Sequence, residues 1–292
     1  MSEDPTIIKL MDETNQSPKL RQELIKKIEQ QPEFKNTRVI LFFTSFMYPV
    51  MIDDTDVDII EGVLQKTDRN KKLCIILNSP GGDGLAAERI IKICRSYSAS
   101  GFSVLVPKMA KSAATMIAMG ATKIYMSDTS ELGPIDPQTR IGEQRVSVYS
   151  IVESYRKLLD GAVNTKGRIE PFLQQLSNYN PIEVKQLESL QDLSEDIAIN
   201  ALKSGMMSSK PKSEIKRKIR LFLTPETTKV HGRAIYPETA KKAGLNIEMM
   251  DHNSGFWNLC WELYIRANHM VSTTLGKLVE TNDQHFSISI RP

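Results

Sequence analysis

The sequence is poor in the residues that mark disulfide-bonded and metal-binding proteins. Its 292 residues include three cysteines and four histidines, with no CxxC pair and no Cys/His cluster. Cys74, Cys94 and Cys260 lie far apart, and the first two sit within an apolar run and a helical run. We interpret them as buried small hydrophobic residues. The sequence therefore predicts no disulfide, no metal site and a reducing, cytoplasmic setting.

Long apolar runs are also lacking. The first ten residues are acidic and polar, and no basic segment followed by an apolar core is present, which predicts that there is no signal peptide. The longest apolar stretch, Arg38–Val50, is too short and too interrupted to span a bilayer. We therefore expect no membrane partner.

The sequence has little excess of positive over negative charge, since its net charge is only +3. The basic excess is concentrated in Lys203–Arg220, which could in principle form a nucleic-acid patch. A solvated helix face is the simpler interpretation, so we expect no nucleic-acid partner. With 40% hydrophobic and 25% charged residues, the composition is typical of a globular protein with a large core.

The first half of the chain alternates short apolar runs with segments of helical spacing. The apolar runs predict strands, and they are Val39–Phe43, Leu73–Leu77, Ser103–Val106 and Lys123–Met126. The helical segments between them are Asp53–Gln65, Leu85–Cys94 and Ser112–Gly120. Repeated crossovers of this kind predict an α/β fold with a mostly parallel sheet.

The pattern divides the chain into three parts. Residues 1–36 are predicted to form a polar helical N-terminal arm that packs on a partner or frays. Residues 37–250 are predicted to form the α/β domain, with a helical insertion at about 147–225. Residues 251–292 are predicted to form an amphipathic helix, Gly255–Leu275, followed by a loose polar tail.

A glycine-rich loop, Asn78–Gly84, follows the second predicted strand and precedes a helix. Its glycines allow backbone conformations that other residues avoid, and a helix N-terminus favours negative charge. The loop could hold a phosphate or the oxyanion of an acyl-transfer intermediate, or it could be a plain turn. It matches neither of the common nucleotide-binding patterns, so we predict no cofactor.

Ser112 occupies a second strand-to-helix junction, Ala110–Met116. A serine at a helix start is most often an N-cap. It could also be a nucleophile at the carboxyl edge of the sheet, where open α/β sheets place their sites. The two loops lie one crossover apart, so they can face one crevice and supply a nucleophile and oxyanion donors together.

The combination of motifs resembles the serine dehydrogenase proteinase family, which is related to the signal peptide peptidase A type and to the proteolytic subunit of the Clp protease. The likeness runs from about Arg38 to Met249. It is carried by Ser-Pro-Gly-Gly at 79–82, Ala-Lys-Ser-Ala at 110–113, Leu-Gly-Pro-Ile-Asp-Pro at 132–137, and His-Gly-Arg at 231–233 leading to Ala-Gly-Leu at 243–245. The resemblance implies a Clp protease/crotonase-like fold of repeated β-β-α units, with extra helices in the C-terminal half.

The resemblance also implies roles for individual residues. Ser112 takes the place of the nucleophile, and the N–H groups of Gly81 or Gly82 and of Ala113 take the place of the oxyanion hole. It implies a peptide or protein substrate and a homo-oligomer. Because the sequence has no ATP site, any energy-dependent unfolding would need a separate unfoldase.

The general base is left open. The Clp protease carries its histidine in a segment matching Leu132–Pro137, and this sequence has no histidine there. The signal-peptide-peptidase relatives use a lysine, which makes Lys166 the first candidate and Lys157 the second. His231 is the third candidate, as a base or as a turn-capping residue.

The sequence also allows predictions for two further residues near the motifs, Lys111 and Asp136. Lys111, next to the serine, should point elsewhere if Ser112 starts a helix. Asp136 could orient the base, or it could stabilise the proline-flanked turn in which it lies.

Three functions remain after these observations. The leading hypothesis is a serine peptidase or related acyl hydrolase with a Ser-Lys dyad or a Ser/His variant. The alternative is a catalytically degenerate Clp-like scaffold or binding protein, in which Ser112 is only a helix cap. An acyl-coenzyme-A enzyme of the crotonase type ranks lower, because crotonases do not use this serine.

Overall fold

The computed structural model describes residues 6–12, 17–224 and 232–290, and a seven-stranded sheet forms its centre. Five strands are parallel and lie side by side in the order β1 Thr37–Thr44, β2 Lys72–Asn78, β3 Phe102–Val106, β5 Lys123–Met126 and β9 Ile247–Met249. Most of their apolar residues are buried, and they lie on both faces of the sheet, as is typical of a parallel sheet. The predicted α/β class with a mostly parallel sheet is confirmed.

Three helices cross over between these strands, namely α3 Asp54–Gln65, α4 Gly84–Ser96 and α5 Ala113–Gly120. Asp53 caps α3 by accepting a hydrogen bond from the N–H of Thr55, and Asp83 caps α4 through the N–H of Leu85. Every residue of α5 is buried, so this helix runs through the core. The strand-to-helix junctions therefore present their loops at the carboxyl edge of the sheet.

Short extended pairs lie between the strands and their helices. They are the Ile52–Gly82 bridge, the Ser79–Ala110 bridge, and the parallel pair β4 Met109–Ala110 with β6 Glu131–Leu132. Each of the first three long strands is thus followed by a short extended segment and then a helix. This β-β-α repeat brings the glycine-rich loop and the Ser112 junction side by side.

The opposite face of the sheet is covered by α2 Pro18–Glu29 and α11 Gly255–Thr273. Leu24, Ile25 and Ile28 of α2 are buried against apolar residues of α11 and of the sheet, and Phe34 of the short 3₁₀ turn Pro32–Phe34 joins them. In the predicted N-terminal arm, α1 Thr6–Asp12 precedes α2. α2 therefore packs on its own chain rather than projecting from it.

The remaining helices follow a small hairpin. The hairpin is β7 Gln138–Ile141 with β8 Gln144–Ser147, and the helices are α6 Val148–Asn164, α7 Glu170–Leu176, α8 Pro181–Lys203, α9 Lys212–Leu223 and α10 Pro237–Lys242. Only Val148 and Val152 of α6 are buried, and α7 has no buried residue. The second half of α8 packs on α4 and α5, so α8 joins this peripheral helical region to the core.

The prediction of a loose polar tail is wrong. β10 Leu275–Glu280 pairs antiparallel with β1, and β11 His285–Ser289 pairs with β10, which completes the seven-stranded sheet. The segment looked solvent-exposed because it carries Lys277 and Glu280, yet both are buried in ion pairs. Charged residues in a buried strand hide the apolar alternation by which strands are recognised.

In the described ranges, no helix has the length and hydropathy needed to cross a membrane. The three cysteines are buried, as predicted, and none of them forms a disulfide in the structure. Burial raises the pKa of the Cys74 and Cys94 thiols to about 12, so both remain protonated at neutral pH.

Candidate active site

Ser112 has an unusual backbone conformation at the junction between β4 and α5. Its φ is +49° and its ψ is −119°, a region that non-glycine residues seldom occupy. It holds the N-cap position of α5, yet its side chain makes no capping hydrogen bond. The helix-cap explanation of this serine is therefore not supported, and a half-buried hydroxyl is presented at the start of a buried helix.

The glycine-rich loop packs directly against this junction. Gly81 has a φ of +105°, and a Cβ atom there would lie 2.7 Å from the Cβ of Ser112 and 2.6 Å from the carbonyl oxygen of Lys111. Gly82 has a φ of +156°, and a Cβ atom there would lie 2.2 Å from the carbonyl oxygen of Ile52. Only glycine fits at either position, because the backbone segments touch where a side chain would begin.

The N–H groups near Ser112 differ in their hydrogen bonds. The Gly81 N–H donates to the Ser79 hydroxyl at 3.0 Å, so it is already used inside the loop. Within the described ranges, the N–H groups of Gly82 and Ala113 have no hydrogen-bond acceptor. Of Gly81 and Gly82, Gly82 is therefore the one whose N–H can donate to a ligand.

A cavity of about 580 Å³ opens beside Ser112. It is bounded by four parts of the chain: the glycine-rich loop, the start of α5, the segment that leads into the β7–β8 hairpin, and one side of α8. The residues that represent these parts are Pro80, Gly82, Met116, Pro137, Thr139, Leu193 and Ile197. The cavity is thus built from parts of the chain that lie far apart in the sequence.

Asp136 lies in the wall of this cavity and is only 1% exposed. Its neighbours are fixed by backbone hydrogen bonds, from the Ile135 N–H to the Phe222 carbonyl and from the Val148 N–H to the Pro137 carbonyl. It also borders a second cavity, of about 490 Å³, that reaches toward α9. The structure thus brings Asp136 to the same cavity as Ser112, which leaves both of its predicted roles open.

Neither of the two lysines predicted as candidate bases lies in the cavity beside Ser112. Lys166 is exposed beyond the end of α6, and Lys157 is exposed in an ion pair with Glu153 at 3.0 Å. His231 falls outside the described residues. Over the part of the chain that the structure describes, no lysine or histidine lines the Ser112 cavity.

Lys111 points away from the cavity, as predicted. Its Nζ lies 2.6 Å from Oε1 of Glu131 and donates to the Leu132 carbonyl oxygen at 3.4 Å. Its side-chain methylenes fill the space beside Gly133, where a Cβ atom would lie 2.6 Å from Cδ of Lys111. Lys111 therefore ties the Ser112 junction to β6 and is not a candidate base.

A buried ion cluster fixes the other side of the glycine-rich loop. Lys277 Nζ lies 2.8 Å from a carboxylate oxygen of both Asp53 and Asp56, next to Ile52. Ile52 in turn accepts a hydrogen bond from the Asp83 N–H and donates one to the Gly81 carbonyl, each at 2.9 Å. The cluster thereby connects β10 to the loop.

The two carboxyl groups of this cluster are shifted in opposite directions. Burial raises the pKa of Asp56 even though Lys277 bonds to it. Burial acts in the same direction on Asp53, which is more exposed, but the hydrogen bond and the charge of Lys277 together with the hydrogen bonds from Thr55 outweigh it, and the pKa of Asp53 lies below its usual value.

Sequence reasoning missed two cavity residues, Arg140 and Arg145, which lie on β7 and β8. The available signal was Gly142, which has a φ of +60° and lies between two short polar segments, as in a tight hairpin. The strands are short and carry no apolar alternation, so periodicity did not reveal them.

Comparison with known proteins identifies a family for the chain. The sequence model of the family described as ClpP-like SDH-type serine proteinases matches residues 8–249. The uncharacterized protein MJ0137 of Methanocaldococcus jannaschii is 41% identical over 70 residues, which are 24% of each chain. The uncharacterized protein MJ1495 of the same organism is 31% identical over 139 residues, 45% of each chain. The matches therefore span less than half the length of these relatives.

Proposed function

The chain belongs to the family of ClpP-like SDH-type serine proteinases, and from this premise we propose that it is a serine peptidase with Ser112 as its nucleophile. One observation carries the proposal. Ser112 combines a positive φ with a hydroxyl that caps nothing, and it lies against the glycine-rich loop at a cavity. A strained serine without a structural hydrogen bond is a typical way to present a nucleophile.

The proposed chemistry begins with attack of the Ser112 oxygen on the carbonyl carbon of a peptide substrate. The N–H groups of Gly82 and Ala113 would donate hydrogen bonds to the oxyanion that forms. Ala113 is the first residue of α5, so the positive end of the helix dipole would favour the same charge. The leaving amine would need a proton from the group that deprotonated Ser112.

Lys166, Lys157 and His231 remain the candidates for that group. Lys166 and Lys157 stand away from the cavity in a single chain, so a lysine base would require a rearrangement or a second copy of the chain. A lysine would also need a neutral amine near pH 7, which requires burial or a neighbouring cation.

A homo-oligomer is part of this proposal. The peripheral helices expose an unusual number of large apolar side chains: Leu159, Val163, Ile169, Leu173 and Ile182 are each more than 40% exposed. Covering these side chains with a second copy would remove them from water. A peptide substrate, a separate unfoldase and a cytoplasmic location complete the proposal, and the three buried thiols agree with that location.

Labelling with a fluorophosphonate probe tests the nucleophile. We expect the purified protein to be labelled and the Ser112→Ala variant not to be, because the probe reacts only with an activated hydroxyl. Ser194→Ala is the matched control, since Ser194 lines the same cavity and should not affect labelling. The Ser112 hydroxyl has no partner among described residues, so Ser112→Ala should change the free energy of unfolding by less than about 0.5 kcal/mol.

The base is tested with Lys166→Ala, Lys157→Ala and His231→Ala in the same assay. The variant that loses labelling while keeping its unfolding transition identifies the base. If a mixture of Ser112→Ala and the inactive base variant regains peptidase activity, the base comes from a second copy. Labelling that persists in Ser112→Ala would contradict the proposal that Ser112 is the nucleophile.

A catalytically degenerate scaffold is the second candidate, favoured by the finding that the Ser112 cavity has no lysine or histidine among its described lining residues. It predicts that the folded protein is never labelled, while peptides still bind in the cavity.

A further inference from the structure

Two arginines face each other at the rim of the Ser112 cavity. Arg140 of β7 is directly opposite Arg145 of β8 in the register of the hairpin, and both line the cavity while remaining exposed. The turn between them is tight, because Gly142 has a φ of +60°. The hairpin therefore holds two guanidinium groups on a short, well-defined support.

Neither arginine is neutralised by a described residue of its own chain. Across the described ranges, Arg140 and Arg145 make no ion pair and no side-chain hydrogen bond, whereas Arg89 and Arg156 each pair with a carboxylate at 2.6 Å. Like charges directly opposite each other destabilise a strand pair. A bound anion would relieve this repulsion, so the arrangement suits a ligand rather than the stability of the hairpin.

The acidic residues of the cavity lie elsewhere. Asp83 caps α4, where its Oδ1 accepts a hydrogen bond from the Leu85 N–H at 2.8 Å. Asp136 is almost completely buried in the cavity wall. The other lining residues of the β7 segment, Gln138 and Thr139, are uncharged. Among the residues that line the cavity on the hairpin side, the exposed charged ones are therefore both arginines, since Glu143 of the turn does not line the cavity.

We propose that Arg140 and Arg145 form a carboxylate-binding subsite, so that the preferred peptides carry a carboxylate near the bond that is cut. This inference rests on the proposed function, because it names the substrate class of that site. An arginine binds a carboxylate through two parallel hydrogen bonds, and two arginines can share one group. The carboxylate comes either from an Asp or Glu side chain or from the C-terminus of the peptide.

The geometry limits where this carboxylate lies. Arg140 follows Asp136 by four residues, so the two Cα atoms are at most about 13 Å apart at the rise of an extended chain. Asp136 shares the cavity wall with the site at Ser112. Arg140 and Arg145 line the same cavity as Ser112, so the carboxylate lies in the stretch of peptide that occupies this cavity.

Binding of fluorescent peptides to the full-length Ser112→Ala variant tests the subsite without requiring turnover. Fluorescence anisotropy would compare matched peptides that carry Glu or Gln beside the central bond, each with a free or an amidated C-terminus. We expect a carboxylate to tighten binding by roughly tenfold or more, the scale of a charge-assisted hydrogen bond, and we expect salt to weaken that gain. Whether Glu or the free C-terminus gives the gain identifies the source of the carboxylate.

Arg140→Gln and Arg145→Gln, introduced into the same protein, should remove the preference for the carboxylate while leaving the binding of the Gln amide peptide unchanged. Arg168→Gln is the control, because it removes the same charge from an exposed position outside the cavity. The subsite would be overturned if all four peptides bound equally well or if none of them bound. It would also be overturned if Arg168→Gln removed the preference for the carboxylate to the same extent. Fluorophosphonate labelling of the wild-type protein separately reports on the nucleophile, so the two proposals can fail independently.

Discussion

At the scale of single residues, the conformation of Ser112 depends on its neighbours. A positive φ at a serine costs on the order of 1–3 kcal/mol and persists only where the surroundings enforce it. Thr115 helps to enforce it, because its hydroxyl lies 2.7 Å from the Ala110 carbonyl oxygen and 3.0 Å from that of Gly133. Gly81 closes the other side by direct contact with the Ser112 side chain. The position of the hydroxyl is thus set by packed backbone.

Replacement of Gly81 by alanine tests this dependence. We expect Gly81→Ala to lower the free energy of unfolding by at least about 1 kcal/mol, because a Cβ atom is unfavourable at positive φ and would collide with Ser112. The rate of fluorophosphonate labelling should fall as the serine is displaced. Urea unfolding and labelling of the same sample measure the two effects.

Gly62→Ala is the control for that experiment. Gly62 lies inside α3, and an added Cβ atom there would meet nothing within 4 Å. Alanine should therefore stabilise the protein by about 0.5–1 kcal/mol and leave labelling unchanged. If both variants changed stability and labelling alike, the contact between the loop and the serine would have no special role.

At the scale of elements, β10 does more than complete the sheet. Its Lys277 is 2% exposed, and with Asp53 and Asp56 it anchors the segment that bridges to Gly82. A strand far from the serine in sequence therefore holds the loop that would carry the oxyanion donor. A change in β10 should reach the site through Ile52, whose two backbone bonds fix the loop.

Lys277→Met tests this connection. It would leave the buried carboxylate of Asp56 without its cation, and loss of one partner of a buried pair costs about 3–5 kcal/mol. We expect that loss in urea unfolding, together with slower labelling of Ser112 under conditions in which the variant is still folded. Lys123→Met is the control, because the ion pair of Lys123 with Glu248 is exposed and should contribute no more than about 1 kcal/mol. Equal effects of the two changes would contradict the proposed link.

At the scale of the whole molecule, a second buried ion cluster joins distant parts of the chain. Arg21 of α2 donates two hydrogen bonds of 2.8 Å to Glu280 of β10, and Nδ1 of His285 on β11 lies 2.6 Å from the same carboxylate. Glu280 is completely buried. Burial alone would raise its pKa, but the hydrogen bonds from His285 and Arg21 outweigh burial, and the pKa of Glu280 lies below its usual value.

The sign of this shift predicts how stability changes with pH. A carboxyl whose pKa is lower in the folded state stabilises the protein above its usual pKa, and this contribution is lost as the pH falls through the lower folded value. Glu280→Gln should therefore lower the free energy of unfolding at pH 7 by about 3–5 kcal/mol and reduce the further loss between neutral pH and acid. Urea unfolding from pH 7 to pH 3 measures both effects, with the exposed Glu248→Gln as control. An unchanged pH dependence would rule out Glu280 as the source.

The sequence was informative where burial and residue type agree. β1, β2 and β3 were predictable because strands buried on both faces are largely apolar, and β5 because its buried residues Ile124 and Met126 are apolar. β10 was not predictable, because Lys277 and Glu280 are buried by partners that lie more than 200 residues away.

The candidate site was likewise predictable only in part from the sequence. Ser112 and Gly81 could be expected to meet, since their loops follow successive parallel strands. Gly82 could not be preferred over Gly81 until the bond from the Gly81 N–H to Ser79 was known. The base is harder still, because no local pattern states which part of the peripheral helical region approaches the cavity.

The place of β10 in the sheet has a consequence for the synthesis of the chain. β1 is complete at residue 44, but the strand that flanks it begins only at residue 275. At ribosomal speeds of about 5–20 residues per second, some 10–50 s separate the two. During that interval the edge of β1 that pairs with β10 has no neighbouring strand. Asp53 and Asp56 lack their ion-pair partner, because Lys277 has not yet been synthesised. A nascent chain therefore carries Ser112 long before it carries the strand that anchors the glycine-rich loop, and the edge of β1 stays open until β10 has been made.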